Sequence, residues 1–276
     1  MSEPVTCAVS AGVADVKLNR PGKLNALDAA MFTALGEVGD SLAGDPSVRA
    51  VVLSGQGRGF CAGIDVSVFS GGDGLGAGSD LLGGRGAGGR IANRAQHAAW
   101  VWHELPVPVI AAVHGVALGA GLQIALGADL RYVAPDARLS VLEIRWGLIP
   151  DMAGTWTLPR AVGLDVAKEL TWTGRLVSGE EAGRLGLATR VCDDPHGEAM
   201  ALAADLAQRS PQALRAAKSL LDQSAAALAP EQLRAESAAI SAIMGSPEQT
   251  EAVRAQLEGR PPSFAPAPGG NRQPPR

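Results

Sequence analysis

HGVALGAGLQIAL, His114 to Leu126, opens as a strand, passes through Gly119, Ala120 and Gly121, and continues as an apolar helix. A helix that starts this way leaves its first amides without intrahelical acceptors, and its dipole reinforces them, so the junction suits developing negative charge. Taken alone, the same residues also describe a small-residue turn that permits close packing. Working outward, Val109 to Val113 and Leu130 to Val133 read as short strands, the first of them entirely apolar and therefore covered on both faces. The uncharged stretch from Leu105 to Ala128 is long enough to cross a bilayer. Pro106 and Pro108 at its start, and His114, Gln123 and the glycines within it, fit a buried strand, a turn and a buried helix in series instead.

Toward the amino terminus, short strands are expected around Cys7 to Val9 and Ala14 to Leu18, followed by the turn NRPGKLN. Asp28 is a candidate helix cap, and Phe32, Leu35, Val38 and Leu42 recur behind it at helical spacing until Pro46. Arg49 to Ser54 is another short buried strand, and Ile91 to Glu104 a helix. Between them, about half of the residues from Gly71 to Gly89 are glycine, too little side chain to pack, so a mobile loop is expected. Strand, turn and helix recur about every sixty residues, the pattern of stacked strand-strand-helix units with largely parallel sheet.

After Pro150 only helical patterns are read: Met152 to Arg160, Leu164 to Thr171, Gly179 to Leu185, Gly197 to Arg209, Pro211 to Ser224, Pro230 to Met244 and Pro247 to Leu257. Several are alanine-rich and amphipathic, suited to packing on the parent domain or a neighbouring subunit. The tail from Arg260 to Arg276 is rich in proline and glycine and is expected to be disordered.

Composition removes several function classes. A formal net charge of -4 offers no surplus to neutralise a phosphate backbone, so nucleic acid is not an expected partner. Cys7, Cys61 and Cys192 are too few and too scattered for a disulfide framework or a zinc site, and fit a reducing cytoplasm. The amino terminus shows no basic segment followed by an apolar run that would direct secretion.

A second candidate site is SGQGRGFCAGID, Ser54 to Asp65, directly after a buried strand. Its glycines allow a tight turn with inward-pointing amides. A dinucleotide fingerprint fits poorly, because the spacing of Gly55, Gly57 and Gly59 lacks the third glycine and no acidic partner follows about twenty residues on. Cys61 reads as a small buried residue rather than a nucleophile, since no histidine is fixed beside it. His114 reads as a satisfied core histidine, and Trp100, Trp102, Trp146, Trp156 and Trp172 as core or pocket residues.

These two segments together resemble the enoyl-CoA hydratase/isomerase family, also called crotonases. So do LNRPGKLNALD (Leu18 to Asp28), GLIPDMAGTWTLPR (Gly147 to Arg160), TGRLVSGEEAGRLGLATRV (Thr173 to Val191) and SPQALRAAKSLL (Ser210 to Leu221). The resemblance runs in order over nearly everything but the glycine-rich loop and the tail. It implies an α/β fold, a superhelix of stacked ββα units over residues 1–200. A C-terminal helical region for trimerisation would follow over 201–259, giving a homotrimer or a dimer of trimers. The implied substrate is an acyl-CoA thioester, bound without metal or redox cofactor, coenzyme A being part of the substrate.

The resemblance also implies roles. Backbone amides of Ile64 and Ala120 would form an oxyanion hole for the thioester enolate, and because backbone supplies the donors, alanine suffices at 120. Lys23, Leu24, Ala26, Ala62, Gly63, Asp65 and Gly119 would line the coenzyme A and thioester site. Hydratases of the family carry two glutamates, at the positions of Gln123 and Glu143 here. An amide orients water or substrate but exchanges no proton at ordinary pH, so Gln123 weakens two-carboxylate hydration. Glu143, in the apolar context VLEIRWGLI, suits a general base, and Asp151 occupies the place of a second acid in the dienoyl-CoA isomerases. The balance falls toward double-bond isomerisation. Hydration with Glu143 as base, and a catalytically weak CoA-thioester-binding protein, are the alternatives.

Overall fold

The computed structural model describes residues 3–65, 90–224 and 246–265. Nine strands are seen among these residues: β1 (Val5–Ser10), β2 (Val13–Leu18), β3 (Ala50–Gly55), β4 (Val109–Val113), β5 (Val116–Leu118), β6 (Leu130–Val133), β7 (Arg138–Ser140), β8 (Val177–Ser178) and β9 (Arg190–Val191). Six form one sheet in the order β1-β2-β3-β4-β6-β9, and β5-β7-β8 form a second. In the larger sheet β1 and β2 pair antiparallel as a hairpin, and every later pair is parallel. Parallel neighbours need long crossovers, and helices supply them. These are α1 (Ala29–Gly44) between β2 and β3, α2 (Arg94–Glu104) between β3 and β4, and α3 (Ala120–Gly127) between β4 and β6.

Period-two geometry explains why the central strands are apolar throughout. Val51 and Leu53 of β3, with Val109, Ala111 and Val113 of β4, enter the main core beneath α1, α2 and α3. Ala50, Val52, Ile110 and Ala112 point to the opposite face, where Ala199, Ala203 and Ala207 of α7 (Pro195–Ala207) cover them. The expected boundary between residues 200 and 201 therefore cuts a helix whose small residues close the sheet. Helix α7 packs on the sheet.

Local signals set the helix starts. Asp28 caps α1, its carboxylate accepting from the Met31 amide at 2.9 Å. Helix α2 begins three residues later than the apolar pattern suggests, because Asn93 and Gln96 form a reciprocal capping box, each side chain accepting from the other's amide. The remaining helices are α4 (Gly154–Val162), α5 (Leu164–Thr173), α6 (Gly179–Leu185), α8 (Pro211–Ser224) and α9 (Pro247–Glu258).

The reading of the second half as helix alone is corrected by β8 and β9, two residues each, which are too short to show a period. Lys218 of α8 is nearly buried and satisfied by Asp129 at 2.8 Å and the Val107 carbonyl at 3.1 Å, which clamps α8 to the sheet. The Glu248 carboxylate accepts from the Gln212 amide at 2.8 Å and ties α9 to the start of α8. The tail expected to be disordered from Arg260 is instead held over residues 260–265, and its later residues lie outside the described residues. Ser263 donates its amide to Glu251 at 2.9 Å, and Arg49 donates to the Phe264 carbonyl at 3.3 Å. The glycine-rich loop and the helix expected over Pro230 to Met244 lie outside the described residues. Among the described residues no helix is long and apolar enough to cross a membrane.

Candidate active site

Asn25, fully buried in the NRPGKLNAL turn, organises the chain on one side of the site. Its Nδ2 donates to the carbonyls of Gln56 and Gly59 at 2.9 Å and Phe60 at 3.1 Å, and its Oδ1 accepts from the Arg20 amide at 2.8 Å. It adopts a left-handed backbone (φ 57), which asparagine tolerates better than most residues. Leaving such buried groups unpaired costs about 1–3 kcal/mol each, so this side chain fixes the loop after β3. Arg20 adds a guanidinium that meets Asp65 and Asp28 at 3.2 Å each and donates to the Ala26 carbonyl.

The segment Cys61–Asp65 is thereby threaded between two partners. On one side, Ala62 donates to the Leu24 carbonyl and Asp65 to the Leu27 carbonyl, both at 2.9 Å, while Leu27 donates to Gly63 at 2.8 Å. On the other, Cys61 donates to Val116 at 2.9 Å and Leu118 to Cys61 at 3.0 Å. This stitching brings the CAGI loop against the start of α3. Gly63 (φ 94) passes so close that a Cβ on it would stand 2.7 Å from the Leu118 carbonyl oxygen and 3.8 Å from the Ala120 nitrogen. Among the described residues the amides of Ile64 and Ala120 donate to no protein acceptor.

Both residues line one cavity of about 90 Å³, together with Ala62, Gly63, Leu118, Gly119, Leu142, Glu143, Trp146 and Leu148. Glu143 opens the 3-10 turn Glu143–Trp146 and is only 7% exposed. Its carboxylate lies over Gly119 (φ 52), where a Cβ would be 3.4 Å from Oε1. Glu143 Oε1 accepts from Gln123 Nε2 at 2.6 Å, whereas buried Oε2 has no protein partner among the described residues. Burial pushes the Glu143 carboxyl above the ordinary glutamate range, and the charge of Asp151 adds to this, against hydrogen bonds from the backbone and from Gln123.

Of the residues singled out from sequence, the structure brings Ala62, Gly63, Ile64, Gly119, Ala120 and Glu143 into this one wall. Gln123 stands behind Glu143, with its oxygen held by the Met152 amide at 2.8 Å and the Gly154 amide at 3.0 Å. Asp151 is half-buried, its carboxyl raised chiefly by burial, and it is not part of the cavity wall. Lys23 is exposed at the end of the turn Pro21–Lys23. Leu24 and Ala26 serve through their carbonyls, and the Asp65 carboxylate is paired with Arg20.

Sequence reasoning missed Arg20 and Asn25, the amides of residues 152 and 154, and the apolar lining from Leu118, Leu142 and Leu148. The available signal for the first two was the turn NRPGKLN itself, in which a proline and a glycine set Arg20 and Asn25 on either side of a tight bend. His114, expected in the core, is half-buried at a strand end and meets the Gly57 carbonyl at 2.9 Å. Trp102 is core, Trp146 lines the cavity, Trp156 packs edge to face on Trp100 with the Arg160 guanidinium over its ring, and Trp172 is largely exposed. Cys61 is buried, its thiol pushed up to about 12, which excludes a thiolate nucleophile at ordinary pH.

Comparison with known proteins agrees with this arrangement. Residues 8–267 match the family described as enoyl-CoA hydratase/isomerase. The chain belongs to the enoyl-CoA hydratase/isomerase family. Among its family relatives is a protein of Bacillus subtilis named "Probable enoyl-CoA hydratase", 34% identical over 263 residues, covering 94% of this chain and 98% of the relative. The mitochondrial methylglutaconyl-CoA hydratase of Mus musculus is 32% identical over 260 residues, covering 92% and 79%. A solved enoyl-CoA hydratase of Mycobacterium smegmatis superimposes with a TM-score of 0.81 at 33% identity, covering 95% of this chain and 99% of that one. The crotonase-type fold is thus shared over nearly the full length of this family member.

Proposed function

We propose that this enoyl-CoA hydratase/isomerase shifts the double bond of an enoyl-CoA thioester, with Glu143 as the base. The observation that carries the reading is the unpartnered Oε2 of Glu143, buried in the same cavity wall as Ile64 and Ala120. In the proposed reaction Oε2 takes a proton from C2 of a 3-enoyl thioester. The electron pair of the broken C–H bond forms the C1–C2 double bond of a dienolate as the carbonyl pair moves to oxygen; when that pair returns, C2–C3 becomes the double bond and the old C3–C4 pair takes the proton. Charge resides meanwhile on the thioester oxygen, where the Ile64 and Ala120 amides would receive it. One preorganised donor of this kind is typically worth about 3 kcal/mol. The proton returns at C4, so atoms and electrons balance without a metal or redox cofactor.

Ala62, Gly63 and Gly119 would hold the thioester, and the pantetheine and nucleotide would run past Lys23, Leu24, Ala26 and Asp65. Glu143 would make both proton transfers, with the nearby charge of Asp151 raising its affinity for the proton. Hydration of a 2-enoyl thioester is the second reading, favoured by the relatives named as hydratases. A panel of thioesters in heavy water, read by mass spectrometry, separates the two. Isomerisation yields a conjugated product whose mass changes only by exchanged deuterium. A product heavier by a molecule of water would replace isomerisation with hydration, and binding without turnover would refute both.

Exposed apolar residues, one of them in the cavity wall, suggest how the subunit is used. Trp146 is 55% exposed, Ile149 71% and Trp172 69%, more large apolar surface than a monomer usually leaves open. We propose that copies of the chain cover it in a homotrimer or dimer of trimers. Sedimentation at micromolar concentration is expected to give a trimer or hexamer, and a monomer would overturn this. The free cysteines suit the cytoplasmic setting proposed with it.

A further inference from the structure

We infer that Gln123 is a positioning residue for the base: by holding Oε1 of Glu143 through Nε2, it commits Oε2 to proton transfer. The inference rests on the proposed role of Glu143 and adds to it the assignment of a working atom. Gln123 is 3% exposed and lies one turn into α3. The orientation of its amide group is dictated by its surroundings. Two backbone N–H groups, from Met152 and Gly154, converge on Oε1 of Gln123, so that atom must be the acceptor and Nε2 the donor. That donor lies 2.6 Å from Oε1 of Glu143. Every strong hydrogen-bonding direction of the side chain toward 143, 152 and 154 is therefore used. The Gln123 oxygen, with both lone pairs taken, is therefore closed to water and substrate, and only the second N–H of Nε2 is left to meet either.

A charged carboxylate with one oxygen held and the other free keeps one rotamer and one basic lone-pair set aimed at substrate. The groups facing Glu143 are few. Helix α3 presents the neutral Gln123, whose oxygen is turned to the 152 and 154 amides, the segment before α4 contributes the charge of Asp151, and the CAGI loop presents backbone. A glutamate at position 123 would still accept from the two amides, but its second oxygen would then face Oε1 of Glu143. Two carboxylates at that separation hold one proton between them, so the pair resists becoming fully charged.

Gln123→Glu is consequently a near-isosteric test that preserves the 152–154 anchor and reverses the contact with the base. In kcat against pH, the acid limb should move to higher pH, and kcat at pH 6 should fall at least tenfold with KM little altered. Gln123→Met, which removes the donor, should also lower kcat, and the conservative Gln123→His, which restores an N–H, should recover part of it. Thermal unfolding checks that each variant folds. An unmoved acid limb in folded Gln123→Glu, or a faster reaction at neutral pH, would overturn the positioning role. Activity surviving in Glu143→Gln would instead refute the base assignment on which it rests.

Discussion

Glu143→Gln is expected to lower kcat by about 10²–10⁴-fold, the usual contribution of a positioned general base, while KM for the thioester changes little. The substitution isolates proton transfer, because a glutamine at 143 still offers an oxygen to Gln123 Nε2 and keeps the volume of the cavity wall. Stability should move the other way. The folded carboxyl titrates above its unfolded value because burial penalises its charge. A group raised in this manner contributes its full stability below the unfolded value and loses it as pH rises through the folded one. Charging Glu143 therefore opposes folding at neutral pH, and the neutral variant should melt at a higher temperature there, with the advantage vanishing near pH 4. Rate measurements with melting curves at both pH values check the two halves. Unchanged turnover would remove Glu143 from the chemistry.

Gly121→Ala is expected to cost about 1–3 kcal/mol of stability, the usual range for overpacking, and to lower kcat/KM by about 10²-fold. A Cβ at 121 would overlap the Cys61 carbonyl oxygen and stand 2.8 Å from the Cys61 Cβ. Both neighbours belong to backbone locked by the Val116 and Leu118 hydrogen bonds, so neither yields cheaply. Helix α3 must retreat, and it carries the Ala120 amide and Gln123 with it. Gly44→Ala makes the control, because a Cβ there meets nothing within 4 Å. Urea unfolding and steady-state kinetics of both variants test the claim, and a Gly121→Ala enzyme with normal kcat/KM would show that the spacing of the CAGI loop from α3 is immaterial.

The fold was legible wherever one period dominated. β4 and β6 are read from sequence with the bounds the structure gives, as are α6 and α8, since uninterrupted apolar runs and proline or glycine punctuation leave few alternatives. Strands β7, β8 and β9 were not, because two or three residues carry no period and their existence depends on partners far along the chain. The same distinction holds in the site. Glu143 and the residues flanking the two unpaired amides stand in motifs, so a linear reading finds them. The partner of Gln123 is invisible to such a reading, because its oxygen is held by main-chain groups at 152 and 154, where side-chain identity tells nothing. Asp151 is read from its place in a motif, and the structure adds that it is half-buried with its charge acting on Glu143.

The supply of both candidate donors by peptide groups has a genetic corollary. Random mutagenesis should find position 64 permissive to changes of size and polarity, and buried position 120 open to small residues alone, with proline, which deletes the N–H, inactivating at 64. Lesions that abolish growth on a suitable thioester precursor should accumulate at the neighbouring glycines, so residue 64, whose amide matters to the reaction, would be among the least constrained in its alphabet.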